Sequence, residues 1–373
     1  MPTISVLMKP SSSMCNMSCD YCFYCDEAQK RNQESYGFMS EYTLKNIIRK
    51  TMLRAEGMIS YAYQGGEPTL RGLEFFEKAV AYQKQYNRNQ IQVTNALQTN
   101  GYSITEDWCS FFKDNNFLIG LSVDGTPDIH DTFRHDKKGG ATYARVNHAA
   151  ELMDRYGVDY NILTVVTPLV AGNITDIYTA YRKRGWNYQQ YIPCLDPLYE
   201  GHGNTPYALT PEVYGQFLID LFFLWYRDLK HQKQPYIRQF ENYISLAAGY
   251  MAESCDQRGV CGIQNVAEAD GSIYPCDFYM LDEYRLGNFN EDRLDQINER
   301  RKEIRFIERS RMVDETCHEC RFYRLCRGGC QRSRDYNPAD GTYKSYFCKS
   351  FQMFFEKYYD TIMNIGKQIT SRM

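Results

Sequence analysis

The sequence predicts an α/β protein: a partial β/α barrel of about six strand–helix repeats, then a cysteine-rich C-terminal domain. Three observations carry this. Strand-like apolar runs alternate with helix-like segments from Ile4 to Ile192. The alternation stops after Leu195. Cysteines then crowd the last third of the chain, at 255, 261, 276, 317, 320, 326, 330 and 348.

Ile4–Lys9 reads as the first strand and leads into a cysteine loop. Ser40 is placed to cap a helix in which Leu44, Ile47, Ile48 and Met52 recur at helical spacing. Ile59–Tyr63 is the next strand and ends in Gly65-Gly66-Glu67-Pro68. The helix Leu73–Gln83, strand Ile91–Leu97, helix Thr105–Lys113 and strand Phe117–Val123 follow. The repeat continues with helix Tyr143–Tyr156, strand Tyr160–Val166, helix Ile174–Lys183 and strand Tyr188–Ile192. Such repetition implies parallel strands joined by crossover helices, with functional groups on the loops after the strands.

Thr210-Pro211-Glu212 starts a Phe- and Leu-rich helix running to about Lys230, with Thr210 as cap and Pro211 in the first turn. A second helix covers Arg238–Tyr250. Asn265–Ala269, Asp270-Gly271 and Ser272–Tyr274 read as a hairpin with a tight turn. A last amphipathic helix covers Phe351–Ile365. The domains divide as 1–230 and 231–373, with a soft boundary within 195–255.

At 373 residues with 43% apolar content, the chain can bury a large core and a smaller one. A net charge of −3 gives no reason to expect nucleic acid or an anionic membrane as partner. No apolar run has membrane-spanning length, and Ile4–Met8 is too short for a secretory signal. The 32 tyrosines are read as ordinary core and surface residues. Fourteen cysteines without a secretory signal point to metal in a reducing cytoplasmic setting, not to a disulfide framework.

The spacing of Cys15, Cys19 and Cys22 is C-x3-C-x2-C. Three thiolates hold three irons of a cubane cluster, and full ligation takes four. The fourth iron is left for a group that is not protein, and an open position is where a metal site does chemistry. The C-terminal cysteines suffice for two fully ligated clusters. Taken alone, the block from Cys317 to Cys330, C-x2-C-x5-C-x3-C, fits a tetrahedral zinc site as well as iron–sulfur. The N-terminal triad favours iron–sulfur, because a redox cluster needs electron partners. Cys109 reads as a packed helix residue, Cys25 as a neighbour of the triad, and Cys194 as the end of a barrel strand.

The triad, with Tyr21 before its last cysteine, resembles the signature of the radical S-adenosylmethionine (SAM) superfamily, and Gly65-Gly66-Glu67-Pro68 resembles its second motif, which receives the SAM amino group. The C-terminal cysteines, with Gly271 between Cys261 and Cys276, are similar to the SPASM domain of peptide and protein maturases. The runs Cys19–Tyr24, Gln64–Leu70, Leu97–Gly101, Cys194–Tyr199 and Tyr274–Tyr279 look like those of anaerobic sulfatase-maturating enzymes, which convert a cysteine or serine of a sulfatase to Cα-formylglycine.

That resemblance implies three 4Fe–4S clusters and SAM. Cys15, Cys19 and Cys22 would hold the SAM cluster. Cys255, Cys261, Cys276 and Cys330 would hold one auxiliary cluster, and Cys317, Cys320, Cys326 and Cys348 the other. Tyr21, Gly66, Ser122, Arg134 and Leu195 match SAM-contacting positions. Asp277 matches the general base, and Tyr24, Gln64, Gln98 and Asn100 the substrate pocket. The implied reaction takes hydrogen from Cβ of the target, sends the second electron to the cluster held by Cys276, and passes the thiol or hydroxyl proton to Asp277. The implied partners are a sulfatase polypeptide and a reductant such as flavodoxin or ferredoxin. The competing readings are another SPASM-type maturase, forming crosslinks or epimerising a residue, and a zinc scaffold without activity.

Overall fold

The computed structural model describes residues 3–371. Its contacts gather into two compact units, each built from separate stretches of chain. The first comprises the residues up to Val123, His130–Asn161 and Ile263–Arg305; the second comprises Asp124–Ile129, Ile162–Gly262 and the residues from Phe306.

In the first unit, the strands Ile4–Met8, Met58–Tyr63, Gln92–Thr99 and Phe117–Ser122 pair in parallel in that order. Each is followed by a helix that returns the chain: Glu41–Met52, Leu73–Tyr86, Glu106–Asp114 and Tyr143–Tyr156. Ser40 caps the first of these by accepting a 3.0 Å hydrogen bond from Thr43 N–H, and Leu44, Ile47, Ile48 and Met52 are all buried. Tyr63, Phe76, Trp108, Phe112 and Phe117 form one aromatic layer, with Phe76 5.1 Å from Tyr63 and 5.3 Å from Trp108 between ring centroids. Burying each such ring stabilises the unit by about 1.5–3 kcal/mol.

The predicted hairpin joins this sheet. Asn265–Ala267 pairs in parallel with Ile4–Met8, Val6 opposite Asn265, and Ser272–Tyr274 runs antiparallel beside it. Glu268 N–H bonds Ser272 C=O at 2.8 Å, so Ala269 joins Asp270 and Gly271 in the turn. The cysteine loop also carries structure beyond the sequence expectation. Met17–Cys19 pairs antiparallel with Arg134–Asp136, and Phe23–Gln29 is a short helix.

In the second unit, the strand Tyr160–Val166 from Ile162 onward, Tyr188–Pro193 and Tyr236–Ile237 pair in parallel. Ile174–Arg184 and Pro211–Leu229 complete two further strand–helix repeats, so the expected six are present along the chain. Thr210 caps the second of these helices through Val213 N–H at 3.3 Å. The last helix runs from Cys348 to Thr370, longer at both ends than its predicted Phe351–Ile365. Phe354 and Tyr358 pack on Phe222, with centroids 5.5 and 4.6 Å apart, which supplies a burial gain that local periodicity does not encode. Among the described residues no helix is long and apolar enough to cross a membrane.

Candidate radical SAM active site

Most of the predicted site residues lie in the first unit, on loops after its strands. The chain leaves the Ile4–Met8 strand, turns through Met14 and Cys15, and pairs Cys19 with Arg134. Arg134 then donates to the Tyr21 hydroxyl at 3.0 Å, so two predicted SAM contacts meet across this small ladder. Cys22 N–H bonds Cys19 C=O at 3.1 Å, which closes the turn between two of the expected ligands. The Cys25 thiol hydrogen-bonds Cys22, which favours the thiolate on Cys22 and the protonated thiol on Cys25.

Gly66 sits where only glycine fits. Its φ is +53°, and a Cβ there would lie 2.1 Å from the Met14 carbonyl oxygen. Glu67 N–H bonds that same carbonyl at 2.8 Å, so the Gly-Gly-Glu loop is fastened to the cysteine loop. The Glu67 carboxylate is fully buried. Its Oε1 accepts from Thr69 N–H, the Thr69 hydroxyl and the Thr99 hydroxyl, and its Oε2 accepts from Asn100 N–H at 2.8 Å. Burial pushes this carboxyl up, against the pull of those donors. At the sequence level Glu67 stood only as a member of the Gly65-Gly66-Glu67-Pro68 motif; its place is a clamp between two strand ends. Burial, and then the charge of Glu67, raise the Cys15 thiol to about 11. Iron ligation removes such a proton outright.

The second cluster of interest surrounds Asp277. Its Oδ2 accepts from the Tyr24 hydroxyl at 2.6 Å and from Gln64 Nε2 at 2.7 Å, and Gln64 also donates to Tyr24 at 3.0 Å. Its Oδ1 is buried and makes no hydrogen bond. Lys9 Nζ approaches Oδ1 to 3.5 Å and lies 4.2 Å from the Tyr24 ring centroid. Lys9 is 4% exposed, and its stem runs where a Cβ on Gly65 would intrude, 2.7 Å from Lys9 Cγ. Burial first, then the negative charge of Asp277, pushes the Tyr24 phenol well up, so it remains a donor. Lys9 was missed at the sequence level. Its signal was a lysine closing an apolar strand.

Asn100, expected beside the substrate, turns its amide to Cys15, with Nδ2 3.5 Å from Sγ. Ser122 closes the Phe117–Ser122 strand and is buried; Gln98 lies on Gln92–Thr99 and is half-buried. Leu195 lies in the second unit, after the Tyr188–Pro193 strand. Cys109 is fully buried in its helix, as expected of a packed residue.

In the second unit, burial raises every expected ligand thiol for which a shift is evident, and Cys326 and Cys330 reach about 12. Cys330 senses the charges of Cys255 and Cys261, while Cys326 senses Cys348, Cys317 and Cys320. Cys276 belongs to the first unit. All the cysteines are free of disulfides. Among the described residues no three acidic, histidine or cysteine side chains converge on one metal ion. The ligands of a cubane each bind a different iron, so they need no such convergence. A thiol-only donor set, half-buried in every triad member, fits an iron–sulfur centre.

The radical SAM superfamily pattern matches residues 10–180, and an iron–sulfur cluster-binding domain matches residues 261–321. The chain is 42% identical over 369 residues to a cysteine-type anaerobic sulfatase-maturating enzyme of Clostridium perfringens, covering 99% of this chain and 100% of the relative. It is 40% identical over 372 residues to the cysteine-type enzyme of Clostridium novyi, with both chains covered in full. Native anSMEcpe, solved with bound AdoMet and Cp18Cys peptide, superposes with a TM-score of 0.94 at 41% identity, covering 99% of this chain and 100% of that one. With likeness in sequence and fold running end to end, the chain belongs to the anaerobic sulfatase-maturating enzymes of the radical SAM superfamily.

Proposed function

We propose that this protein oxidises a cysteine of a sulfatase polypeptide to Cα-formylglycine. The arrangement that carries the reading is Asp277, a buried carboxyl with one oxygen fully occupied and the other making no hydrogen bond. Cysteine is favoured over serine as the target by the 40–42% identity to cysteine-type enzymes.

Cys15, Cys19 and Cys22 would hold the SAM-binding cluster, with Tyr21, Gly66, Ser122 and Arg134 around the SAM. The C-terminal cysteines would hold two auxiliary clusters, making three 4Fe–4S centres. SAM, when bound and reductively cleaved there, supplies a 5′-deoxyadenosyl radical able to take hydrogen from an unactivated carbon. The residues of the chain do the rest. Tyr24 and Gln64 pin Asp277 Oδ2, so Oδ1 has one direction in which to face a substrate. Oδ1 takes the proton of the target thiol as the second electron leaves, for which an auxiliary cluster would be the acceptor; water then replaces the sulfur of the resulting thioaldehyde, which departs as sulfide, to give the aldehyde. Lys9 holds a counter-charge beside that oxygen. A one-electron reductant of the flavodoxin or ferredoxin type supplies the first electron.

The test is an anaerobic incubation of reconstituted protein with SAM, a strong reductant and a sulfatase-derived peptide containing C-x-P-x-R. Expected are about twelve irons per chain, 5′-deoxyadenosine, and a peptide that has lost its sulfur. A peptide that loses only hydrogen would mark a crosslinking maturase and overturn the assignment. Matched cysteine and serine peptides compared in the same assay test the target preference.

A further inference from the structure

Asn100 has every polar group of its amide committed. Its Oδ1 accepts from Tyr102 N–H at 2.9 Å. A backbone N–H donates only to the oxygen of an amide, so the nitrogen must face the other way. There Nδ2 donates to Asn16 Oδ1 at 2.8 Å and to Cys15 Sγ at 3.5 Å, within reach for a sulfur acceptor. The backbone N–H of Asn100 is anchored on Glu67 Oε2 at 2.8 Å. The residue is 7% exposed, so water competes little for the sulfur. Met17 N–H also points to Cys15 Sγ, at 3.4 Å.

We infer that Asn100 is a positioning residue that sets the reduction potential of the N-terminal cluster, by donating a hydrogen bond to its Cys15 ligand. This rests on the reading of Cys15 as a cluster ligand. The physical reason is charge. Reduction by one electron from the external reductant adds one negative charge to the cluster, part of which falls on the ligand sulfurs. A donor aimed at a sulfur stabilises that charge, so the potential rises with the hydrogen bond. Glu67 makes the donor rigid, because it fixes the Asn100 backbone at the strand end. The Gly-Gly-Glu loop thereby acts on the redox centre as well as on SAM.

The experiment uses the full-length reconstituted protein and its Asn100→Leu and Asn100→Ser variants. Leucine fills the space and keeps water from the sulfur; serine is small and polar. Iron content is measured first. The fraction of reduced cluster is then read by electron paramagnetic resonance at a potential poised on the wild-type midpoint, following the signal that changes when SAM is added. Expected is normal iron content with a reduced-to-oxidised ratio about tenfold lower in Asn100→Leu, equivalent to ~59 mV for a one-electron couple. An unchanged ratio in both variants overturns the inference, as does failure of both to take up iron, which would make Asn100 a folding residue. If the wild type itself binds no SAM-responsive cluster, the cofactor reading fails instead.

Discussion

The ammonium of Lys9 lies 3.5 Å from Asp277 Oδ1. One residue follows the first strand, and the other follows a hairpin near the end of the first unit. They meet because Met8 pairs with Ala267 in the sheet, which carries the far end of the hairpin back beside the cysteine loop. Lys9→Met should therefore leave the buried Asp277 without its counter-charge, which favours the protonated carboxyl that cannot accept the thiol proton. Product formation falls by about 10²-fold, the lower end of the loss expected when a general base is silenced. SAM cleavage continues, so the ratio of 5′-deoxyadenosine to aldehyde rises. Lys9→Arg should recover part of the coupling. Equal losses of both products in Lys9→Met would show only a structural role.

Asp277→Asn keeps the shape of the side chain and removes the base. Formylglycine formation should drop by roughly 10²–10⁴-fold while 5′-deoxyadenosine still accumulates. Mass spectrometry of the peptide and chromatography of the nucleoside read the two arms. A variant that makes aldehyde at the wild-type rate rules out the assignment.

Gly66→Ala places a methyl 2.1 Å from the Met14 carbonyl oxygen at a φ of +53°. The left-handed backbone alone costs about 1–3 kcal/mol for a residue with a side chain. The clash then separates the two loops. A lower melting temperature and loss of SAM binding by calorimetry are expected together. Unchanged affinity for SAM would separate this glycine from the cofactor.

Glu67→Gln replaces one acceptor oxygen by an amide that faces Asn100 N–H. A donor then meets a donor in a fully buried site. The expected cost is about 1–3 kcal/mol in denaturant unfolding. Asn100 also loses its anchor, so this variant should lower the cluster potential in the direction of Asn100→Leu.

His202 offers a pH test in the second unit. Its Nδ1 lies 3.0 Å from Asp196 and its Nε2 2.9 Å from Asp335, with the ring stacked on Tyr346 at 3.7 Å. Burial pushes the imidazole down, but the carboxylates of Asp335 and Asp196 outweigh it and the net direction is up. A raised folded value means stability that is full below the unfolded value near ~6.5 and lost as pH rises through the folded one. The pair is partly exposed, so screening holds the effect to about 0.2–1 kcal/mol. Unfolding of His202→Gln against the wild type should show the larger gap at pH 6 than at pH 9. A gap that does not change with pH would remove this role.

Local signals in the chain reported local structure well. Ser40 and Thr210 named their helices, and periodic Leu44, Ile47, Ile48 and Met52 named a buried face. The final helix came out short, because its added ends are held by contacts from elsewhere in the chain, Ser350 to the Pro211 carbonyl at 2.6 Å and Gly366 against Ala247, and not by its own pattern. Asn100 was placed in the substrate pocket by the family resemblance of Leu97–Gly101. The direction of its amide depends on Tyr102 and Asn16, which no spacing rule reveals.

By itself the sequence determined the chemistry available: the C-x3-C-x2-C triad, the Gly-Gly-Glu turn and the C-terminal thiols are short-range patterns, fixed by what a loop of a few residues can reach. Only the tertiary structure decided which groups act on one another. The sheet register brought Lys9 to Asp277, and buried hydrogen bonds brought Glu67 and Asn100 to Cys15. Those pairings join residues far apart in the chain, and they exist because burial leaves each polar group no partner but the one the fold delivers.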